Sequence, residues 1–241
     1  MQKIFSHPKS LRKISTHYCP GCGHGIAHRL VAELVDELGI RGRVIAVAPV
    51  GCAVIAYDYW DFDCSEAAHG RALAVATAIK RVRPQAIVFT YQGDGDLAAI
   101  GTNETIHAAN RGENLTVVFI NNAVYGMTGG QMAPTTLLGQ KTSTTPQGRE
   151  VQQGYPLKVS ELLAQLPGVK YVERVSLQSP ADILKTKNAL RQAFKNQMDN
   201  LGFSLVEILS PCPTYWGMSP KKALDWIQDV MVKEFPLGRM K

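Results

Sequence analysis

The chain has 241 residues, a formal charge of +6, a pI near 9.1 and 45% hydrophobic residues. That length and apolar content suit one α/β domain with a large core, and no apolar run approaches the roughly 20 residues of a membrane span. Lys and Arg are scattered and aromatics do not interleave with them, which argues against nucleic acid; the excess charge suits an acidic redox partner or a sister subunit.

Residues 1–16 read as an extended arm laid across a neighbour, ahead of a single domain at 17–241. The stretch MQKIFSHPKSLRKIS is basic but has no apolar signal core, so a cytoplasmic location is expected. HYCPGCGHG follows, and Pro20-Gly21 makes a tight loop that turns the Cys19 and Cys22 thiolates toward one centre. Gly21 to Gly25 is weak evidence for a nucleotide fold, because no strand precedes it. Gly25–Leu38 is amphipathic, with Ile26, Leu30, Leu34 and Leu38 on one face and Gly39 as its stop. Arg43–Ala48 reads as a buried strand delivering Gly51-Cys52 at its C-terminal end. The aromatic-rich Ala53–Asp63 reads as core or interface packing. Cys64 has no Cys neighbour and reads as a free thiol. His69-Gly70-Arg71 opens a helix to about Arg83, ended by Pro84. From spacing, a phosphate contact and a surface role are equally open to that His and Arg.

The stretch from Ala86 to Gln131 organises the chain. Ala86–Tyr91 is a solid apolar run, Gly93-Asp94-Gly95 a turn, Asp96–Asn110 a helix-compatible segment, and Leu115–Ile120 a second apolar run ending at Asn121-Asn122. Run, helix, run predicts a βαβ unit with two buried parallel strands. Asp94 and Asn122 then sit at C-terminal strand ends, where open α/β sheets bind ligands. Gly93 and Gly95 let the backbone approach an anion, and the next helix starts at once. Asp94, the Asn122 amide oxygen and a nearby carbonyl are hard donors suited to Mg²⁺; two ordinary polar turns are the plainer alternative. Val124–Pro156 is a long polar segment rich in Gly and Thr, and a loop of that length is usually functional. Val159–Leu166 reads as helix, Val169–Val175 as strand, Pro180–Met198 as helix, Phe203–Leu209 as strand and Asp225–Phe235 as a last helix. The alternation predicts an open, mostly parallel sheet with helices on both faces and right-handed crossovers.

Five cysteines at uneven spacing argue against a disulfide framework. Cys19, Cys22, Cys52 and Cys212 could converge. On spacing alone an iron–sulfur cluster, a zinc ion and unrelated buried cysteines all stay open.

GDG, then 25 residues, then NN resembles the thiamine diphosphate signature, and AVYGMTGGQMAPTT is more specific still. Together with CPGCGH, the chain from about His17 to Pro213 resembles the β subunit of 2-oxoacid:ferredoxin oxidoreductases. The resemblance implies a thiamine diphosphate-binding fold, with Asp94, Asn122 and the Val124 carbonyl holding Mg²⁺ on the cofactor's diphosphate. It implies that Gly93, Gly95, Asp96, Gly126 and Met127 line the cofactor, with Val50, Gly51, Cys52 and Ala53 beside it and His69 in contact. It assigns Cys19, Cys22, Cys52 and Cys212 to one [4Fe–4S] cluster and leaves Cys64 without a ligand role. The implied reaction is CoA-dependent oxidative decarboxylation of a 2-oxoacid, with electrons passing through the cluster to ferredoxin or a similar acceptor. The activating glutamate would come from an α subunit, with γ and δ subunits as further partners, so the chain alone is expected to be inactive. Many members carry Lys at the position of Gly129, and Lys141 or a partner would have to supply that cation. 2-Oxoglutarate and branched-chain 2-oxoacids both stay open, and pyruvate fits less well. The alternatives are a non-redox thiamine diphosphate decarboxylase or synthase, which leaves four cysteines unused, and an iron–sulfur carrier without thiamine diphosphate, which leaves GDG…NN unexplained.

Overall fold

A computed structural model describes residues 6–241; the first part of the expected arm, residues 1–5, lies outside the described residues. Seven strands form one sheet: β1 (Val44–Pro49), β2 (Asp63–Ala67), β3 (Ile87–Gly93), β4 (Thr116–Asn121), β5 (Val169–Ser176), β6 (Phe203–Leu209) and β7 (Gly238–Arg239). Their order is β2-β1-β3-β4-β6-β5-β7. All neighbours are parallel except the short β7, which pairs antiparallel with β5.

Every residue of β4 and β6 is buried, which is why these strands read as continuous apolar runs. Their side chains still alternate by face. Val118, Ile120, Val206 and Ile208 join a core under α1 (His24–Glu37) and α6 (Pro180–Met198), where Leu34, Leu190 and Phe194 are fully buried. Val117, Phe119 and Leu205 join the opposite core, under α3 (Ala72–Val82), α4 (Thr102–Asn110) and α5 (Val159–Ala164). Each such side chain contributes about 1.5–3 kcal/mol on leaving water. Helices cover both faces, as the alternation predicts.

The topology positions the site. β1, β3, β4 and β6 are consecutive in the sheet, and their C-terminal ends lead into Gly51-Cys52, Asp94, Asn122 and Cys212. From β1 the chain pairs with β2 on one side and β3 on the other, so the β1/β3 edge is a topological switch point.

Four departures from the sequence reading have physical causes. Asp63–Ala67 is an edge strand rather than a connection; it is polar, short and only partly buried, so it carries no apolar signal. The segment predicted as one helix over 96–110 is a π turn at Asp96–Ile100 followed by α4. The break lies at Gly101, whose N–H reaches back to the Asp96 carbonyl at 2.9 Å. A Cβ on Gly101 would meet the Asp96 oxygen at 2.5 Å and the Gly70 carbonyl oxygen at 2.9 Å, and one on Gly70 would meet Ile100 at 2.7 Å. Two glycines thus let two backbones touch there. The last helix begins earlier than expected, at α8 (Pro220–Trp226) with Ser219 as its cap, and continues through a π turn to Glu234. One further turn, α7 (Pro213–Trp216), follows Cys212 directly and carries no helical periodicity to read.

Lys9 to Arg12 are tied to their own chain: the Lys9 and Ser10 backbone N–H groups donate to the Asp36 carboxylate, and the Arg12 N–H donates to the Tyr59 carbonyl at 2.8 Å, while residues 13–16 are exposed. Among the described residues, no helix is long and apolar enough to cross a membrane.

Candidate functional site

A cleft of about 570 Å³, including its open mouth, lies over the C-terminal ends of β1, β3 and β4. Its β1 wall is Val50, Gly51, Cys52 and Ala53; its floor is Gly93, Asp94, Gly95 and Asp96; its β4 wall is Asn122, Val124, Gly126 and Met127, with His69 at one side. All thirteen residues singled out for a cofactor from the sequence therefore border one space. His24, Tyr125 and Thr128 border it too and were not singled out.

Asp94 is buried, only 2% exposed, on a turn whose Gly95 N–H donates to its Oδ1 at 2.8 Å. The Thr135 hydroxyl donates to Oδ2 at 2.6 Å. Burial outweighs both bonds and pushes the carboxyl up to about 7. A cation at this carboxylate would reverse that cost. Asn122 supplies an amide oxygen beside it, and that oxygen accepts the Val124 N–H at 3.3 Å. Between them Ala123 takes a left-handed conformation, φ 57°. This tight turn brings Asn122 and Val124 to the cleft together. Asn121 holds it from below: its Oδ1 accepts the Ala123 N–H at 3.2 Å and its amide donates to the buried Glu207 at 2.7 Å.

The glycines fall into two roles. A Cβ on Gly93 or Gly51 would meet nothing within 4 Å, so each leaves free space in the cleft. Gly95 instead makes room for a ring: a Cβ there would stand 2.0 Å from the Tyr125 ring. Tyr125 was not singled out, although it sits inside the AVYGM run.

Both carboxylate oxygens of Asp96 are held by neighbours. Its Oδ1 accepts from His69 Nδ1 and from the Gly70 N–H, both at 2.6 Å, and its Oδ2 accepts from the Gln92 amide at 2.7 Å. A carboxylate only accepts, so Nδ1 of His69 carries the proton and Nε2 is left for the cleft.

A second cavity, about 560 Å³, adjoins the first and is bordered by Cys19, Cys22, Cys52 and Cys212. The Gly23 N–H donates to the Pro211 carbonyl at 3.3 Å, tying the CPGC loop to the segment after β6. A Cβ on Gly23 would collide with Ser210 at 2.3 Å, so the glycine permits this approach. Cys52, His24, Asn122, Gly126 and Met127 border both cavities. Among the described residues, no three His, Cys, Asp or Glu side chains converge tightly enough to hold one metal ion. Burial, and then the neighbouring thiols, push Cys22 up to about 11 and Cys52 and Cys212 to about 12. Cys64 borders neither cavity; it lies half-buried on β2, its thiol donating to the Phe62 carbonyl at 3.5 Å.

His24 separates the cavities. It is buried, its Nδ1 pairs with the Tyr91 hydroxyl at 2.6 Å, and the Tyr18 ring stacks on it at 4.7 Å. Burial holds it neutral, its pKa lowered to about 3. Its place directly after CPGCG was the available signal. Gly129 has φ 117° and Lys141 is exposed; neither borders the two cavities.

Residues 50–208 match the family described as "Thiamine pyrophosphate enzyme, C-terminal TPP binding domain". The chain is 50% identical to the ketoisovalerate oxidoreductase subunit VorA of Methanothermobacter thermautotrophicus over 98% of its own length and 52% of that protein's. It thus spans about half of that relative. It is 38% identical to the 2-oxoglutarate synthase subunit KorB of Archaeoglobus fulgidus, over 90% of this chain and 77% of that one. Among solved structures it superposes on the 2-oxoglutarate:ferredoxin oxidoreductase of Magnetococcus marinus, solved with 2-oxoglutarate, coenzyme A and succinyl-CoA bound. The TM-score is 0.79 with 30% identity, over 95% of this chain and 74% of that one. It also shares its fold with a thiamine diphosphate-dependent 4-hydroxybenzoylformate decarboxylase of Rhodococcus jostii, at TM-score 0.51 and 13% identity over 85% of this chain and 35% of that one. With the family match and these relatives, the chain belongs to the thiamine pyrophosphate enzymes, among the subunits of 2-oxoacid:ferredoxin oxidoreductases.

Proposed function

We propose that this chain is the subunit of a cytoplasmic 2-oxoacid:ferredoxin oxidoreductase that carries both thiamine diphosphate and a [4Fe–4S] cluster. It works with an α subunit and further γ and δ subunits, forms acyl-CoA and CO₂, and delivers electrons to ferredoxin or a similar acceptor. The observation that carries the reading is the shared wall: Cys52, Asn122, Gly126 and Met127 border both the Asp94 cleft and the four-cysteine cavity. The five unpaired cysteines suit a reducing compartment.

Asp94, the Asn122 amide oxygen and the Val124 carbonyl would hold Mg²⁺, and the buried, elevated Asp94 is a group that gains from a cation. Gly93 and Gly51 leave room for the diphosphate, and His69 presents Nε2 to it. Bound thiamine diphosphate supplies an electron sink for decarboxylation. Cys19, Cys22, Cys52 and Cys212 would hold the cluster. All four border one cavity, and coordination to iron would offset the cost of deprotonating thiols whose pKa burial has raised. The chain's part is to hold two centres within a short electron transfer of each other. The glutamate that activates the cofactor comes from the α subunit.

The substrate we propose is a branched-chain 2-oxoacid. The mouth of the cleft carries exposed Val50 and Met127, an apolar rim that suits a branched aliphatic side chain. The stronger identity to the ketoisovalerate subunit than to the 2-oxoglutarate subunit points the same way. The test is anaerobic reconstitution of the complex, followed by CoA-dependent dye reduction over a panel of 2-oxoacids. We expect 2-oxoisovalerate to exceed 2-oxoglutarate in kcat/KM, and the chain alone to show no turnover. Preference for 2-oxoglutarate would overturn the substrate, and full activity of the single chain would overturn the subunit division.

A further inference from the structure

Asn122 is held from a direction the proposed chemistry does not use. Its backbone carbonyl accepts a hydrogen bond from the Trp216 indole N–H at 3.0 Å. Trp216 closes α7, the turn that begins at Cys212, and its own N–H donates to the Cys212 carbonyl at 3.0 Å. One helical turn therefore fixes a cysteine of the second cavity at one end and the carbonyl of a proposed Mg²⁺ ligand at the other.

The indole is not free to drift. It packs against Trp226, ring centroids 4.5 Å apart, beside the small core formed by Ala123, Leu137, Ile227 and Met231. On the other side the 122–124 turn is pinned through Asn121 to Glu207, which also accepts from the buried Arg174 at 2.8 Å. The gap between the sites is also tight. A Cβ placed on Gly126 would lie 3.1 Å from the Cys52 sulfur, 3.7 Å from the Asn122 amide nitrogen and 3.9 Å from the Cys212 sulfur. A shift of Cys212 by a few tenths of an ångström must be taken up by this wall or passed through Trp216.

We infer that Trp216 is a positioning residue: it transmits the state of the four-cysteine cavity to Asn122, so that filling that cavity with its cluster raises the affinity of the Asp94–Asn122 site for Mg²⁺–thiamine diphosphate. Linkage makes the effect mutual: bound Mg²⁺–thiamine diphosphate must stabilise the cluster by the same factor. The inference rests on the proposed function and goes beyond it, because that function requires two occupied sites but no communication between them.

The test measures the Kd of Mg²⁺–thiamine diphosphate in the native assembly, with the cluster loaded and after anaerobic removal of iron. In the wild-type chain we expect binding to be about 10-fold tighter with the cluster in place, within the usual range of coupling. Trp216→Phe keeps an aromatic ring against Trp226 but loses the indole N–H, and should bring that ratio below about 3-fold. Leu190→Ala, in the core under α1 and α6 and away from α7, should lower the melting temperature and leave the ratio intact. Binding in both wild-type states with a ratio near one overturns the inference whatever the variants do, as does a Trp216→Phe chain that keeps the full ratio. No binding in either state would remove the proposed function as well.

Discussion

Asp94 shows how one residue can be costly to the fold and still be kept at the floor of the cleft. Its carboxyl titrates near 7 in the folded chain against an ordinary value of 3.8, because burial penalises the charge. Between those values the folded state holds the proton more tightly than the unfolded one. Stability of the metal-free chain therefore falls as pH rises through that window, by at most about 1.4 kcal/mol per unit. Asp94→Asn removes the charge, so the metal-free variant should melt above the wild type at pH 8, with the gap closing toward pH 4. The same variant should lose Mg²⁺-dependent cofactor binding by more than 100-fold, beyond the roughly 10–100-fold that a residue behind a ligand costs. Thr135 is such a residue. Its hydroxyl orients Oδ2 of Asp94, and Thr135→Val should weaken Mg²⁺–thiamine diphosphate binding by about 10-fold without lowering the melting temperature much. Calorimetric titration of the two variants checks both outcomes. Asp94 was legible from GDG. Thr135 was not, because nothing local in a run of threonines says which one reaches back across 41 positions.

At the scale of elements, α1 carries two imidazoles into the core. His28 is buried, its Nε2 pairs with the Tyr18 hydroxyl at 2.9 Å, and its Nδ1 has no partner. Burial lowers the pKa of both His24 and His28 well below 6.5. The unfolded chain takes up protons below 6.5 and the folded one does not. The stability these groups provide is thus complete above that pH and falls as pH drops, by about 1.4 kcal/mol per unit for each. Denaturant titrations of Asp94→Asn, which lacks the opposing carboxylate slope, should show this slope between pH 6.5 and 4.5, and adding His28→Phe should halve it. The 124–156 segment owes its order to Arg149, whose guanidinium donates to the carbonyls of Pro134 at 2.9 Å, Thr136 at 2.5 Å and Tyr155 at 3.1 Å, among others. Each such bond leaves a buried carbonyl unpaired if lost. Arg149→Met should open the segment to limited proteolysis within 124–156 while the sheet stays intact, and mass spectrometry of the fragments reads this directly. The sequence marked this loop as functional by its length. It could not show that an arginine at its far end closes it.

For the whole molecule, the arrangement turns on which strands stand side by side. β1, β3, β4 and β6 each contribute a loop to the same edge, and Cys52 on the first of these loops faces two cavities. Cys52→Ser should therefore lose iron and also weaken thiamine diphosphate binding. Cys64→Ser, on the edge strand, should leave iron content and cofactor affinity unchanged; iron assay and titration of both proteins separate the roles.

What the chain alone determined was whatever depends on neighbours in sequence. Apolar runs marked the buried strands, their spacing marked a βαβ unit, and the polar pairs at Asp94 and Asn122 marked the strand ends that now line one cleft, since strand burial and strand ends are local properties. The tertiary structure decided which of those ends became adjacent. It set the β6 insertion beside β4, which brings Cys212 to Cys52. It made the Gly70–Gly101 approach that delivers His69 to Asp96, and it placed Trp216 on the Asn122 carbonyl. Those contacts join residues far apart in the chain. They rest on backbones that touch where a glycine permits it and on hydrogen bonds between side chains and backbone brought together only by the closed sheet.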